Sequence, residues 1–140
     1  MKKRQLVIAL CAVSLLVMVL EVMAGEKPTK TFQDAMKSNS GTLQKLGKDA
    51  DAKDYDAIAA DAATFKKNFS GPIAGLFTEK KMSDAGDMCK KAFAAADDLE
   101  KAAKAKNEMA VADARKAVQG SCGSCHNSHR EKVADGFEIK

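Results

Sequence analysis

A chain of 140 residues has room for one domain and one hydrophobic core. Its 23 basic and 19 acidic residues alternate along the chain without a basic block, and aromatic residues make up only 5%. That pattern argues against a nucleic-acid surface, which needs clustered cations with interleaved aromatics.

The N-terminus reads Met1-Lys2-Lys3-Arg4, then an apolar run from Leu6 to Leu20, then Val22-Met23-Ala24. Charged start, apolar middle and small-residue end predict a signal peptide spanning 1–24, cleaved after Ala24, which directs the mature domain 25–140 to the periplasm. An uncleaved anchor competes with this reading, but Glu21 interrupts the run before it is comfortably long enough to span. Cys11 falls inside the segment, and Leu10 before it is too large for a lipidation signal. Without 1–24 the chain keeps 20 basic and 18 acidic residues, close to neutral, with no membrane association expected after cleavage.

The mature sequence is rich in Ala, Lys and Asp and has no Trp and two Pro, so helix is expected throughout. A first helix is predicted over 31–50, with Phe32, Met36, Leu43 and Leu46 on one stripe and Asn39 as its polar interruption. Asp51 to Asp54 supply a turn and a cap for a second helix carrying Tyr55, Ile58, Ala62, Phe65 and Phe69. Gly71-Pro72 breaks or kinks it before Ile73, Leu76 and Phe77. A third helix is expected to start at Ser83 as cap and run through Met88, Ala92, Ala95, Leu99 and Ala103 toward Lys106. The fourth takes Asn107 as cap, carries Met109, Val111, Ala114, Val118, Cys122, Cys125 and His129 on one face, and frays near Asp135.

Four amphipathic helices with short connections predict an all-α, up-down-up-down antiparallel four-helix bundle. Many of its seam positions are Ala, which leaves space between the helices that a large apolar group would fill.

The last helix carries Cys122-Gly-Ser-Cys125-His126. CxxCH is the attachment spacing of a c-type haem: two thiols on one turn form thioethers with the vinyl groups, and the adjacent imidazole of His126 binds the iron. A thioredoxin-like pair would need a βαβ context, and no strand pattern is evident. Zinc would accept Cys122, Cys125, His126 and His129 by type, but ligands on one continuous helix do not easily surround a tetrahedral ion. A Cys122–Cys125 disulfide is expected of the chain before haem attachment. Cys89 has no obvious partner; it is read as buried and inert, with an intermolecular disulfide as the alternative.

With this motif near the end of the last helix, Gln33-Asp34-Ala35-Met36-Lys37 on the first and Leu76-Phe77 ending the second, the chain resembles the class II cytochromes c, the cytochrome c′ family. The resemblance implies a four-helix bundle holding one covalent haem c with its iron between the helices. It also places Met36 on the face of the ring opposite His126. Members with Leu or Phe there are typically five-coordinate and high-spin, and those with Met are six-coordinate and low-spin, so Met36 aligns this chain with the methionine-ligated branch. Two departures stand out: His129 occupies a position that is often aromatic, and Phe32 one that is often Arg. Arg130 is then the expected partner of the haem propionates, with Asn39 or Gln33 as alternatives. His129, three residues from His126, lies on the same side of the ring and cannot reach the opposite face.

The function expected is single-electron transfer through His126/Met36-ligated iron, without enzymatic activity and with redox proteins as partners. The alternative is a five-coordinate haem protein that binds NO or CO, and a third, weaker class is a haem-bearing module of a larger complex. A monomer or a homodimer is compatible with the sequence; the segment joining the second and third helices lacks the Trp common there in the family.

Overall fold

The computed structural model describes residues 27–140. The expected signal segment 1–24 lies outside them. Five helices and a terminal hairpin follow in order: α1 Lys30–Asp51, α2 Tyr55–Asn68, a π-helical turn Phe69–Ile73, α3 Ala74–Glu79, α4 Ser83–Lys104, α5 Glu108–His129, β1 Arg130–Val133 and β2 Gly136–Ile139. The α2–α3 pair acts as one kinked helix, so the architecture is the predicted antiparallel four-helix bundle. No helix among the described residues is long and apolar enough to cross a membrane.

The kink falls where Pro72 removes a backbone donor and Gly71 leaves helical geometry (φ −101°, ψ −105°). Beyond it, Ile73, Leu76 and Phe77 are turned into the core.

The three helix-to-helix connections share one design. Each ends in a left-handed lysine, Lys53, Lys81 or Lys106, with φ between 51° and 56°. In each, the following residue donates back to the last turn: Asp54 to the Asp49 carbonyl, Met82 to Phe77 and Asn107 to Ala102. This is the Schellman closure, which usually carries glycine at the left-handed position. Two of the residues after the lysine then cap the next helix as the sequence predicts, Asp54 accepting from the Ala57 amide at 3.0 Å and Asn107 from Ala110 at 3.1 Å. At α4 the prediction is displaced by one: Met82 occupies the cap without a side-chain bond, and Ser83 is the first helical residue, because the tight closure after α3 uses up the preceding residue.

Leu46, Ile58, Phe65, Ile73, Leu99 and Val118 are fully buried, each such side chain contributing about 1.5–3 kcal/mol. Ala92, Ala95, Ala96, Ala102 and Ala103 keep α4 thin on its buried faces, so it packs closely on both α2 and α5. Lys66 of α2 ties the same interface, reaching Asp97 at 2.5 Å and Glu100 at 2.9 Å on α4. By contrast α1 and α5 barely touch. The bundle is therefore closed along three of its seams and open along the fourth.

The fraying helix expected to Asp135 is not what forms. Helix α5 stops at His129, and the chain turns back in a hairpin pairing Arg130 with Ile139 and Val133 with Gly136. Ala134-Asp135 make the turn, with Gly136 at φ +138°, a conformation suited to glycine. Burial of Ile139 and an ion pair from Lys27 to Asp135 at 2.5 Å hold the hairpin against the bundle.

Candidate functional site

The open seam between α1 and α5 holds two adjoining cavities of about 450 and 250 Å³. Met36 from α1 and Cys125 and His126 from α5 border both of them; Cys122 borders the smaller. Residues 122, 125 and 126 lie on one turn of α5 and are half-buried, so two thiols and an imidazole face the same space that Met36 faces from the opposite wall.

The walls are largely apolar. Phe32 and Phe77 line the larger cavity and pack edge to face, with ring centroids 5.6 Å apart and planes at 82°. Phe32 thus serves packing. Leu43, Phe69 and Ile73 line the smaller cavity, Phe69 and Ile73 being delivered by the π turn.

Burial acts on the imidazole and on the thiols in different senses. Burial, and after it the charge of Arg130, pushes the His126 pKa below the ordinary histidine range, which keeps a lone pair free on the imidazole at neutral pH. Burial raises the thiols of Cys122 and Cys125. Cys89, also on the smaller cavity, is pushed up to about 12, mainly by burial and further by Cys125. A thiol held protonated in this way is inert at neutral pH.

Polar groups concentrate at the mouth of the larger cavity, where Arg130 and Lys37 meet Gln33 and Glu138. Arg130 lies at the junction of α5 and β1, its guanidinium 3.4 Å from the centroid of the Phe137 ring. Gln33 is engaged locally, donating to the Pro28 carbonyl at 2.8 Å. Asn39 sits deep and away from the mouth, lining the smaller cavity, its side-chain carbonyl accepting from Asn68 at 2.7 Å. His129 is buried behind His126, its ring centroid 6.2 Å from that of Phe77. Its Nε2 lies 3.4 Å from an Asp84 carboxylate oxygen but out of line for a hydrogen bond.

Sequence reasoning missed the hairpin, which supplies Phe137, Glu138 and Ile139 to the larger cavity. The signal present was Asp135-Gly136 between two short runs, a hairpin pattern.

These features fit a flat, apolar, covalently tethered macrocycle with carboxylate substituents. There is a slot bordered by paired thiols, a neutral imidazole and a thioether on facing walls, aromatic sides, and a cation at the mouth. Asn39 borders the smaller cavity and His129 the larger, and the Nδ2 of the one and the Nε2 of the other are buried with no hydrogen-bond partner among the described residues.

No protein-family model and no curated protein matches the chain. Solved structures do. Cytochrome c′ from Thermochromatium tepidum matches with a TM-score of 0.62 at 16% identity, covering 84% of this chain and all of that one. A cytochrome c′ with an unusual ligand-controlled dimer dissociation gives 0.63 at 17% over the same shares. Cytochrome c′ from Rubrivivax gelatinosus gives 0.59 at 17%, over 76% of this chain and 91% of its own. At such identities the likeness is one of architecture: this chain has the four-helix fold of the cytochromes c′.

Proposed function

We propose that the chain is an exported c-type haem protein that carries single electrons in the periplasm, with one covalent haem c held by Cys122 and Cys125 and its iron between His126 and Met36. The observation that carries this is the shared border: a thioether from α1 and the imidazole of a CxxCH motif on α5 flank the same cavities. The fold of the cytochromes c′ supports it.

When bound, haem supplies a one-electron couple. The chain's part is to fix the ring and tune it. Cys122 and Cys125 tether it, His126 presents a neutral nitrogen, and Met36 offers a soft sulfur that favours the ferrous form and raises the potential. Phe32 and Phe77 exclude water from one side, and Arg130 offers a cation to carboxylates at the mouth. The protein acts as a carrier and not as an enzyme, meeting redox proteins as a monomer or homodimer.

A second reading is a five-coordinate site that binds NO or CO. It draws support from the likeness to cytochromes c′, one of which is described by its ligand-controlled dimer dissociation. Optical spectra of the purified holoprotein in both oxidation states decide between them. A low-spin ferric spectrum with the weak far-red band of methionine–iron bonding supports the carrier; a high-spin spectrum with immediate CO binding replaces it with the gas-binding protein.

A further inference from the structure

The smaller cavity gathers soft donors from three helices. Met36 comes from α1, Met88 and Cys89 from α4, and Cys122, Cys125 and His126 from α5. Five of them are half-buried and Cys89 is buried. The depth of Cys89 follows from the ends of the helices. Asp84, near the start of α4, lies 3.4 Å from His129 at the end of α5. Counting inward from that contact, Cys89 is five residues along α4 and Cys125 four residues back along α5, depths of about 7.5 and 6 Å at a helical rise of about 1.5 Å per residue. The two thiols therefore stand at nearly one level on helices that pack closely, and a charge on Cys125 is felt at Cys89.

Thiols and thioethers are soft ligands, and among common cations they select monovalent copper. Carboxylates, the ligands of hard cations, are not among the residues that border this cavity. Zinc would need a tetrahedral cage, and no three His, Cys, Asp or Glu side chains among the described residues form one. Cu(I) needs fewer ligands and accepts thioether sulfur. Leu43, Phe69 and Ile73 complete an apolar wall, which suits an ion whose single charge one thiolate neutralises. A metal displaces the proton even from a thiol that burial has raised.

We propose that the reduced, haem-free chain binds one Cu(I) ion in the smaller cavity, between Cys89 of α4 and Cys125 of α5, with Met36 of α1 as the third ligand. Each thiol gives its proton to solvent and no electron moves. The ion then ties α1 to the other helices across the seam that the bundle leaves open, and it withholds Cys125 from haem attachment. Only that last competition rests on the haem reading above.

The test adds Cu(I) alone, under argon, to the full chain produced without haem, with Zn(II) alone as the comparison. One copper per chain should be retained against a Cu(I) chelator, with a sulfur-to-copper band in the near ultraviolet and a raised melting temperature, and Zn(II) should raise that temperature less. Cys89→Ala and Met36→Leu should each weaken retention by at least the roughly tenfold that losing even a supporting residue of a metal site costs. Met36→Leu keeps the side-chain volume, so it decides alone should Cys89→Ala fail to accumulate. Copper that is not retained, that both variants hold as well as the parent, or that stabilises no more than zinc overturns the proposal. Haem-bearing protein, verified by mass, should hold no copper, and copper held there overturns it too. A chain that never gains the mass of haem defeats the haem reading and leaves the copper site standing on the haem-free results.

Discussion

The guanidinium of Arg130 stacks on the ring of Phe137, 3.4 Å from its centroid, so the residue that follows α5 is steered by the strand that returns toward it. This holds the cation at the cavity mouth instead of leaving it free in solvent. Arg130→Ala should leave haem covalently attached and lower the reduction potential on the order of tens of millivolts, because a positive charge that disfavours ferric iron is lost. Arg130→Lys should keep most of the potential. Protein-film voltammetry reads both, and an unchanged potential in Arg130→Ala removes Arg130 from the site.

Met36→Ala should convert low-spin ferric protein to high-spin, abolish the far-red band and admit CO quickly. The potential should fall, since the soft ligand that favours ferrous iron is gone. A variant spectrum identical to that of the wild type would show that Met36 packs beside the ring without ligating.

Cys122→Ala combined with Cys125→Ala should yield protein that loses its haem to acidified organic solvent, whereas wild type retains it and gains the mass of one haem. With the α1–α5 seam open, the haem-free chain should also melt well below the holoprotein and with weaker cooperativity. Equal cooperative melting temperatures for the two forms would mean that the bundle is complete without the group.

Stability should depend on Asp61 in a direction opposite to that of an ordinary ion-paired carboxylate. Asp61 is buried on α2 and accepts from Lys45 at 3.1 Å, while its Oδ2 has no hydrogen-bond donor among the described residues and Lys45 is shared with Asp49 at 2.5 Å. Burial first, and the neighbouring Asp49 carboxylate after it, raise its pKa in spite of Lys45, so the folded chain holds the proton to higher pH than the unfolded chain. Stability from this group is therefore full below about pH 4, the unfolded carboxylate value, and is lost as pH rises through the folded one. Asp61→Asn should stabilise the protein by about 1 kcal/mol at pH 7 and give little gain at pH 3.5. Thermal melts across that range test it, and an Asn variant less stable at pH 7 would mean that the Lys45 pair outweighs the burial.

Local signals carried much of the fold. The side chains of Asp54 and Asn107 cap the helices they were expected to cap, and Gly71-Pro72 kinks the chain where the pair stands. Both depend on a few neighbouring residues. The Cys122–His126 spacing likewise fixed one wall of the site without tertiary information. Asn39 read as a blemish in an apolar stripe because its partner, Asn68, is 29 residues away on another helix. The hairpin was hidden by Val133, which prolongs a helical pattern, while the contacts that stop the helix come from Lys27 and from the burial of Ile139. Nothing local marks α1 as the helix that stands off from α5; that follows from how closely the alanines of α4 draw the other helices together.

The hairpin register sets Glu131 directly opposite Glu138, a like-charge pair that works against the ladder. A two-stranded ribbon of this length is marginal in water even without such a pair; this one is held by the burial of Ile139, the Arg130–Phe137 stacking, a Lys140 amide donating to the His129 carbonyl and an exposed ion pair. Its amide protons should therefore trade with solvent deuterium well before those of the helices. Because Phe137, Glu138 and Ile139 form part of the cavity wall, each such opening uncovers the site while the bundle stays intact. Exchange in this hairpin should then report on how the larger cavity is opened to solvent, separately from melting of the helices.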